Sequence, residues 1–243
     1  MPVRFDILTL FPEMIEGIIN SSILKRAIQK EIIEINIINF RDFSTNKHST
    51  VDDYAYGGGA GMLISVEPIH LAMKTIPGLD SAYKILTSPS GTTFSQKKAE
   101  ELSQKDHFVI ICGHYEGIDA RILDYIDEEI SVGDYVLTGG EIPACLLVDS
   151  ISRLIPGVIS DDSTSGESFT MGLLEYPQYT RPQVYDGKKV PDILLSGHHA
   201  NIEKWKRYES LKKTYHNRPD LLEKFELTKE DIKMLEEIKN EKN

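Results

Sequence analysis

Apolar and polar positions alternate from Val3 to Leu10, with Val3, Phe5 and Ile7 on one face, and this period of two predicts a first strand. Pro12 opens a helix in which Ile15, Ile19, Ile23 and Ala27 recur every four residues, which places them on one stripe. Ile32 to Phe40 is a second β-rich run, Asp52 to Gly61 a glycine-rich loop, and Tyr83 to Thr87 a short strand ending at Ser88-Pro89-Ser90-Gly91. Thr93 and Gln96 have capping-box spacing for a helix through Leu102. Phe108 to Cys112 is continuously apolar, as in a strand covered on both faces, and gives way to the loop Gly113 to Gly117. Glu129 to Tyr135 leads into Leu137-Thr138-Gly139-Gly140, a helix covers about 141–154, and Pro156-Gly157 stops it.

Strands alternating with helices imply an α/β domain with a parallel sheet over residues 1–159. A polar, Gly- and Ser-rich stretch makes 160–174 a flexible linker. Asn201 to Lys213 and Thr228 to Lys239 then read as helices, the second capped by Thr228, so 175–243 is a small, mostly helical C-terminal domain.

Composition narrows this picture. Hydrophobic residues at 40% and charged residues at 27% of 243 are those of a globular protein with a real core. No apolar run approaches the ~20 residues of a membrane helix, and the amino terminus lacks the order of a signal peptide, so a cytoplasmic protein is expected. Cys112 and Cys145 sit in apolar runs without ligand-spaced partners, which predicts buried, reduced packing residues and no zinc site. The net charge of −11 argues against a general nucleic-acid binder, yet Arg181 to Arg218 carries nine Lys and Arg against four Asp and Glu. That segment suits a localised RNA contact, or equally a solvated helix face.

Three glycine-bearing loops, 86–91, 113–117 and 135–141, follow three predicted strands. Ligands of open parallel sheets bind at the carboxyl ends of strands, and glycine lets main chain approach a ligand closely. Together these loops suit a nucleoside held by main-chain groups. None reads G-x-G-x-x-G, and Gly57-Gly58-Gly59-Ala60-Gly61 lacks the Lys-Ser/Thr ending of a phosphate loop, so dinucleotide binding and ATP hydrolysis are disfavoured. The Asp52 to Met62 stretch reads as a surface loop or a flap over a planar ligand; its adjacent carboxylates diverge and do not suit a metal cage. His198-His199 reads as a polar turn before a helix, and Trp205 and Tyr208 as packing residues, with stacking on a base as the alternative.

Longer motifs add a resemblance. Phe5-Asp6-Ile7-Leu8-Thr9-Leu10-Phe11-Pro12, Tyr56-Gly57-Gly58-Gly59, Gly113-His114-Tyr115-Glu116-Gly117-Ile118-Asp119, the run Ile130 to Glu141, Arg153-Leu154-Ile155-Pro156-Gly157-Val158, the run Gly172 to Pro182 and Leu194-Leu195-Ser196-Gly197 occur in order along nearly the whole chain. In these the chain resembles the bacterial tRNA (guanine-N1)-methyltransferase family, of the SPOUT class. The resemblance implies a deep trefoil knot in the parallel-sheet domain, formed around the three loops. It implies a homodimer with cofactor sites at the subunit interface and S-adenosylmethionine as methyl donor. By motif match the donor is lined by Leu86, Ser88, Pro89, Gly113, Tyr115, Glu116, Ser131, Val132, Gly133, Tyr135, Leu137, Gly139, Gly140 and Pro143. The substrate it implies is a tRNA with guanine at position 37, just 3′ of the anticodon, gripped by Lys188, Lys189, Lys204, Lys206, Arg207, Lys212 and Lys213.

In that family an Asp before a Ser-Phe pair is the base and an Arg ending the preceding helix stabilises guanine O6. The Arg corresponds to Arg153; the Asp position holds Glu167, in Gly166-Glu167-Ser168-Phe169. Glutamate is also a competent base, though its carboxylate sits roughly an ångström farther out; Asp161 and Asp162 are fallback candidates. Ala55 and Ala60 stand where the family has proline. The resemblance also suggests that Mg2+ assists turnover, with no ligand set legible. A SPOUT enzyme for another RNA or base, and a non-catalytic RNA-binding dimer, are the competing readings.

Overall fold

The strand predicted at the amino terminus forms as Val3–Thr9 (β1). The computed structural model describes residues 1–160, 167–170 and 172–241. The chain divides into two compact units, Met1–Asp161 and Asp162–Asn243.

In the first unit β1 joins Ile33–Asn39 (β2), Tyr83–Thr93 (β5), His107–Cys112 (β6) and Glu128–Ser131 (β7) in one parallel sheet ordered β2-β1-β6-β5-β7. Both faces are covered. Phe5, Ile7, Ile85, Phe108, Ile110 and Ile130 pack against helices α1 (Pro12–Ile19), α2 (Ser22–Gln29), α4 (Gln96–Leu102) and α5 (Glu141–Ser152). Leu8, Leu86, Val109 and Ile111 face α3 (Val66–Lys74), with Phe40, Val51 and Ile64 closing that side. The Phe5 and Phe108 rings stack at 5.0 Å across neighbouring strands. Truncating such a core side chain to alanine typically costs ~2–5 kcal/mol. The two thiols are buried and unpaired, as their apolar settings predict.

Three local expectations are corrected. The single helix after Pro12 is two, broken at Asn20 and Ser21, and the second begins at Ser22, which has φ +51°. The break restarts the helical phase, so Leu24 rather than Ile23 joins the buried stripe with Ile15, Ile19 and Ala27. Thr93 is the end of β5 and not a cap; Ser95 accepts the N–H of Lys98 and caps α4. The strand expected to end at Thr87 resumes: residues 88–91 bulge out, and Thr92 pairs with Ile130, the same partner as Thr87. The glycine-rich loop joins Asp52–Asp53 (β3) to Leu63–Ile64 (β4), an antiparallel pair.

The second unit has a short hairpin, Val184–Tyr185 (β8) and Lys188–Lys189 (β9), followed by α6 (Asp192–Leu195), α7 (His199–Asn217), α8 (Pro219–Leu222) and α9 (Lys229–Asn240). Leu173, Leu211, Met234, Leu235 and Ile238 form its core. Thr228 and Asp231 make a capping box at the start of α9. Among the described residues no helix is long and apolar enough to cross a membrane.

Candidate active site

The carboxyl ends of β5, β6 and β7 lie together, and the chain leaving them forms one cleft of about 630 Å³, within the usual range for small-ligand sites. Its walls are the β5 bulge, the Gly113–Gly117 turn and the segment from Val132 to Gly140. All fourteen positions expected to line a cofactor border this cleft: Leu86, Ser88, Pro89, Gly113, Tyr115, Glu116, Ser131, Val132, Gly133, Tyr135, Leu137, Gly139, Gly140 and Pro143.

Main-chain bonds hold the loops to one another. Gly140 donates its N–H to the Gly113 carbonyl (2.8 Å), and His114 bridges Gly139. The Thr87 hydroxyl donates to the Ile111 carbonyl (3.1 Å). A Cβ at Gly140 would strike that hydroxyl and the Gly113 nitrogen, so glycine is required for this approach. Ser131 Oγ donates to the Gly133 carbonyl (3.1 Å), and the Tyr135 hydroxyl donates to the Val132 carbonyl (3.2 Å), which shapes the third wall. Glu116 N–H donates to the Met62 carbonyl (3.2 Å), tying the turn to the strand pair beside it.

The electrostatics are one-sided. Among the described residues Glu116 and Glu129 line the cleft, and no Lys or Arg does. A phosphate would meet no Lys or Arg among the described lining residues, whereas a positively charged nucleoside would meet two acidic residues and apolar walls. Sequence reasoning overlooked Glu129 because Glu128 and Glu129 read alike there. In the strand they separate: Glu128 accepts from Tyr83 and Lys98, while Glu129 borders the cleft. Burial, reinforced by the Glu141 carboxylate, holds the Cys112 thiol well above its ordinary range and that of Cys145 at about 11. Both stay protonated near neutrality, which disfavours thiolate chemistry.

Arg153 is the C-cap of α5, its N–H donating to the Asp149 carbonyl (3.1 Å). That is a site where a cation also opposes the helix dipole. Glu167 belongs to the second unit, where it borders a small pocket with Tyr176, Lys206 and Arg207. Next to it, Ser168 Oγ accepts the N–H of Glu175 (2.9 Å). The fallback bases Asp161 and Asp162, and part of the 160–174 stretch, lie outside the described residues.

The basic segment separates into two kinds of cation. Lys206 pairs with Glu203 (2.7 Å), Arg207 holds Asp231 by two bonds, Lys212 pairs with Glu241, and Lys213 donates to the Glu175 carbonyl. These four are engaged within their own unit. Lys188 and Lys189 stand exposed on the hairpin beside Tyr185, itself 74% exposed. Trp205 and Tyr208 border a groove between α7 and α9 with Lys204 and Lys233, and Tyr208 also packs on the core. His198 precedes α7 as its N-cap residue, consistent with a helix-start turn.

A family model described as tRNA (Guanine-1)-methyltransferase TrmD matches residues 3–224. Among similar curated proteins, one from Dictyoglomus turgidum is 58% identical over 240 residues, covering 98% of each chain. Others from Staphylococcus haemolyticus, 54% identical over 98% of each chain, and Brevibacillus brevis, 53% identical over 99% of this chain and 100% of its own, bear the same name, tRNA (guanine-N(1)-)-methyltransferase.

Proposed function

The chain belongs to the tRNA (guanine-1)-methyltransferase family, whose members methylate N1 of guanine in tRNA, and we propose that its cleft holds S-adenosylmethionine for methyl transfer to N1 of guanine 37, just 3′ of the anticodon. The cleft carries this reading: main-chain walls, two acidic lining residues and, among the described residues, no lining Lys or Arg suit a sulfonium nucleoside and disfavour a nucleotide phosphate.

When bound, the sulfonium supplies a methyl group that is already electrophilic and departs from a neutral thioether. The harder task falls to the protein, because guanine N1 carries a proton and a delocalised lone pair. Glu167 is the proposed base that removes this proton. Arg153 is the proposed cation that steadies charge growing on O6. Main-chain groups of the Gly113–Gly117 turn and the 132–140 segment orient the adenosine, which leaves alignment as the remaining contribution to rate. Among the described residues no three His, Cys, Asp or Glu side chains are grouped to hold a metal ion.

The deep trefoil knot belongs to the same proposal, with residues 132–140 returning across the Gly113–Gly117 turn. So does a homodimer with its clefts at the subunit interface. Its support is an apolar face on two touching helices: Met14 and Ile18 of α1, Ile142 and Leu146 of α5 are all exposed. On the RNA side, the hairpin with Tyr185, Lys188 and Lys189 is the proposed phosphate contact.

The decisive experiment mixes the chain with methyl-labelled S-adenosylmethionine and tRNA transcripts bearing guanine or adenine at position 37. Label on N1 of the guanine transcript alone is expected. Equal labelling of both, or none, would refute the proposal.

A further inference from the structure

Glu141 opens α5 directly behind the cleft and is 1% exposed. Its Oε1 accepts the Thr9 hydroxyl (2.7 Å), and Thr9 Oγ1 accepts the N–H of Phe11 (2.9 Å). Its Oε2 is equally buried but has no hydrogen-bond partner among the described residues. A buried polar atom left this way is costly, the more so when it carries charge. It faces Nε2 of His114 across 3.9 Å, beyond hydrogen-bond reach. Gly139 leaves room for this approach, since a Cβ there would strike both the carboxylate oxygen and the imidazole.

His114 is itself part of the cleft wall. Its ring lies against Phe11 at 4.7 Å and meets Tyr115 edge-on at 5.6 Å. Tyr115, also in the wall, has φ +58°, a left-handed backbone that a bulky side chain disfavours. Strain of this kind persists where the surroundings fix it, and it gathers at ligand sites.

We propose that Glu141 is a positioning residue for the cleft. As the nucleoside seats against the Gly113–Gly117 turn, Nε2–H of His114 closes onto the waiting Oε2, and the ring fixes Tyr115 against the ligand. A movement of about an ångström turns the gap into a charge-assisted hydrogen bond. Thr9 holds the other carboxylate oxygen, so the anchor is the end of a central strand and not a loop. The proposal rests on the reading of the cleft as a S-adenosylmethionine site. It adds that affinity depends on a carboxylate that never touches the ligand.

The test is a double-mutant cycle on S-adenosylmethionine affinity, measured by titration calorimetry, with His114→Phe and Glu141→Gln. Phenylalanine keeps a ring between Phe11 and Tyr115 but has no N–H. His114→Phe is expected to weaken binding about tenfold, the scale of one charged hydrogen bond. Glu141→Gln is expected to weaken binding in the parent and cost nothing more in the His114→Phe background. Losses that multiply, or a His114→Phe protein that binds as the parent does, overturn the proposal; the second holds even if Glu141→Gln fails to fold. A parent chain with no affinity for S-adenosylmethionine refutes the cofactor reading itself, a different result from an unaffected variant.

Discussion

Arg207 grips Asp231 with two parallel bonds, Nε to Oδ1 at 2.7 Å and Nη2 to Oδ2 at 2.8 Å, joining α7 to the first turn of α9. Asp231 is 2% exposed and also accepts the N–H of Thr228. The Arg207 hydrogen bonds, with those from Thr228, hold its carboxyl at about 2 against an ordinary 3.8. A depressed carboxylate stabilises the fold above its unfolded value and loses that effect as pH falls through the folded one. Stability worth about 2 kcal/mol should therefore be present above pH 4 and fade toward pH 2. Urea unfolding of the second unit's signal across that window checks this; Asp231→Asn should flatten the dependence.

Gly140→Ala should reach deep into the cleft. The added methyl meets the Thr87 hydroxyl and the Gly113 nitrogen at once. Overpacking of this kind typically costs ~1–3 kcal/mol, and the displaced loop should lose S-adenosylmethionine affinity in the same calorimetric assay. Unchanged binding with unchanged melting would show that the close approach is dispensable.

Glu167→Gln keeps size and hydrogen bonding but cannot take a proton. If Glu167 is the base, kcat should fall by ~10²–10⁴ while S-adenosylmethionine affinity stays put. Equal turnover by parent and variant would remove Glu167 from that role and return attention to Asp161 and Asp162.

Removing both hairpin lysines, Lys188→Ala with Lys189→Ala, should lower the slope of log affinity for tRNA against log salt by ~1.5, the contribution of two phosphates. Lys206→Ala should leave the slope nearly unchanged, because that ammonium is already paired with Glu203. Filter binding between low and moderate salt separates the two outcomes.

Ile142→Glu places a charge on the apolar face shared by α1 and α5. If that face pairs two copies, light scattering should show a dimer for the parent and a monomer for the variant. A monomeric parent would dismiss this interface.

Much of this was legible from periodicity. The alternation from Val3 and the apolar run at Phe108 became central strands because a sheet covered on both faces needs such residues. The glycine turns converged because they follow neighbouring parallel strands. The break at Ser22 was illegible, since serine in a left-handed backbone leaves no apolar signature. The cap moved from Thr93 to Ser95 because strand pairing with β7 outcompeted a local side-chain bond. The engagement of Arg207 and Lys212 was also hidden, because their partners Asp231 and Glu241 lie 24 and 29 residues onward. The sequence marks Glu141 only as the start of a helix, and it is the tertiary fold that brings it to Thr9 and His114.

The strand order carries a consequence for biosynthesis. β1 emerges from the ribosome first, yet its inner neighbour β6 begins only at His107. At ~5–20 residues per second, that edge waits on the order of 5–20 seconds without its mate. Until β6 is made, the β1 edge is an apolar strand border with unpaired main-chain groups, a surface open to pairing with neighbouring nascent chains.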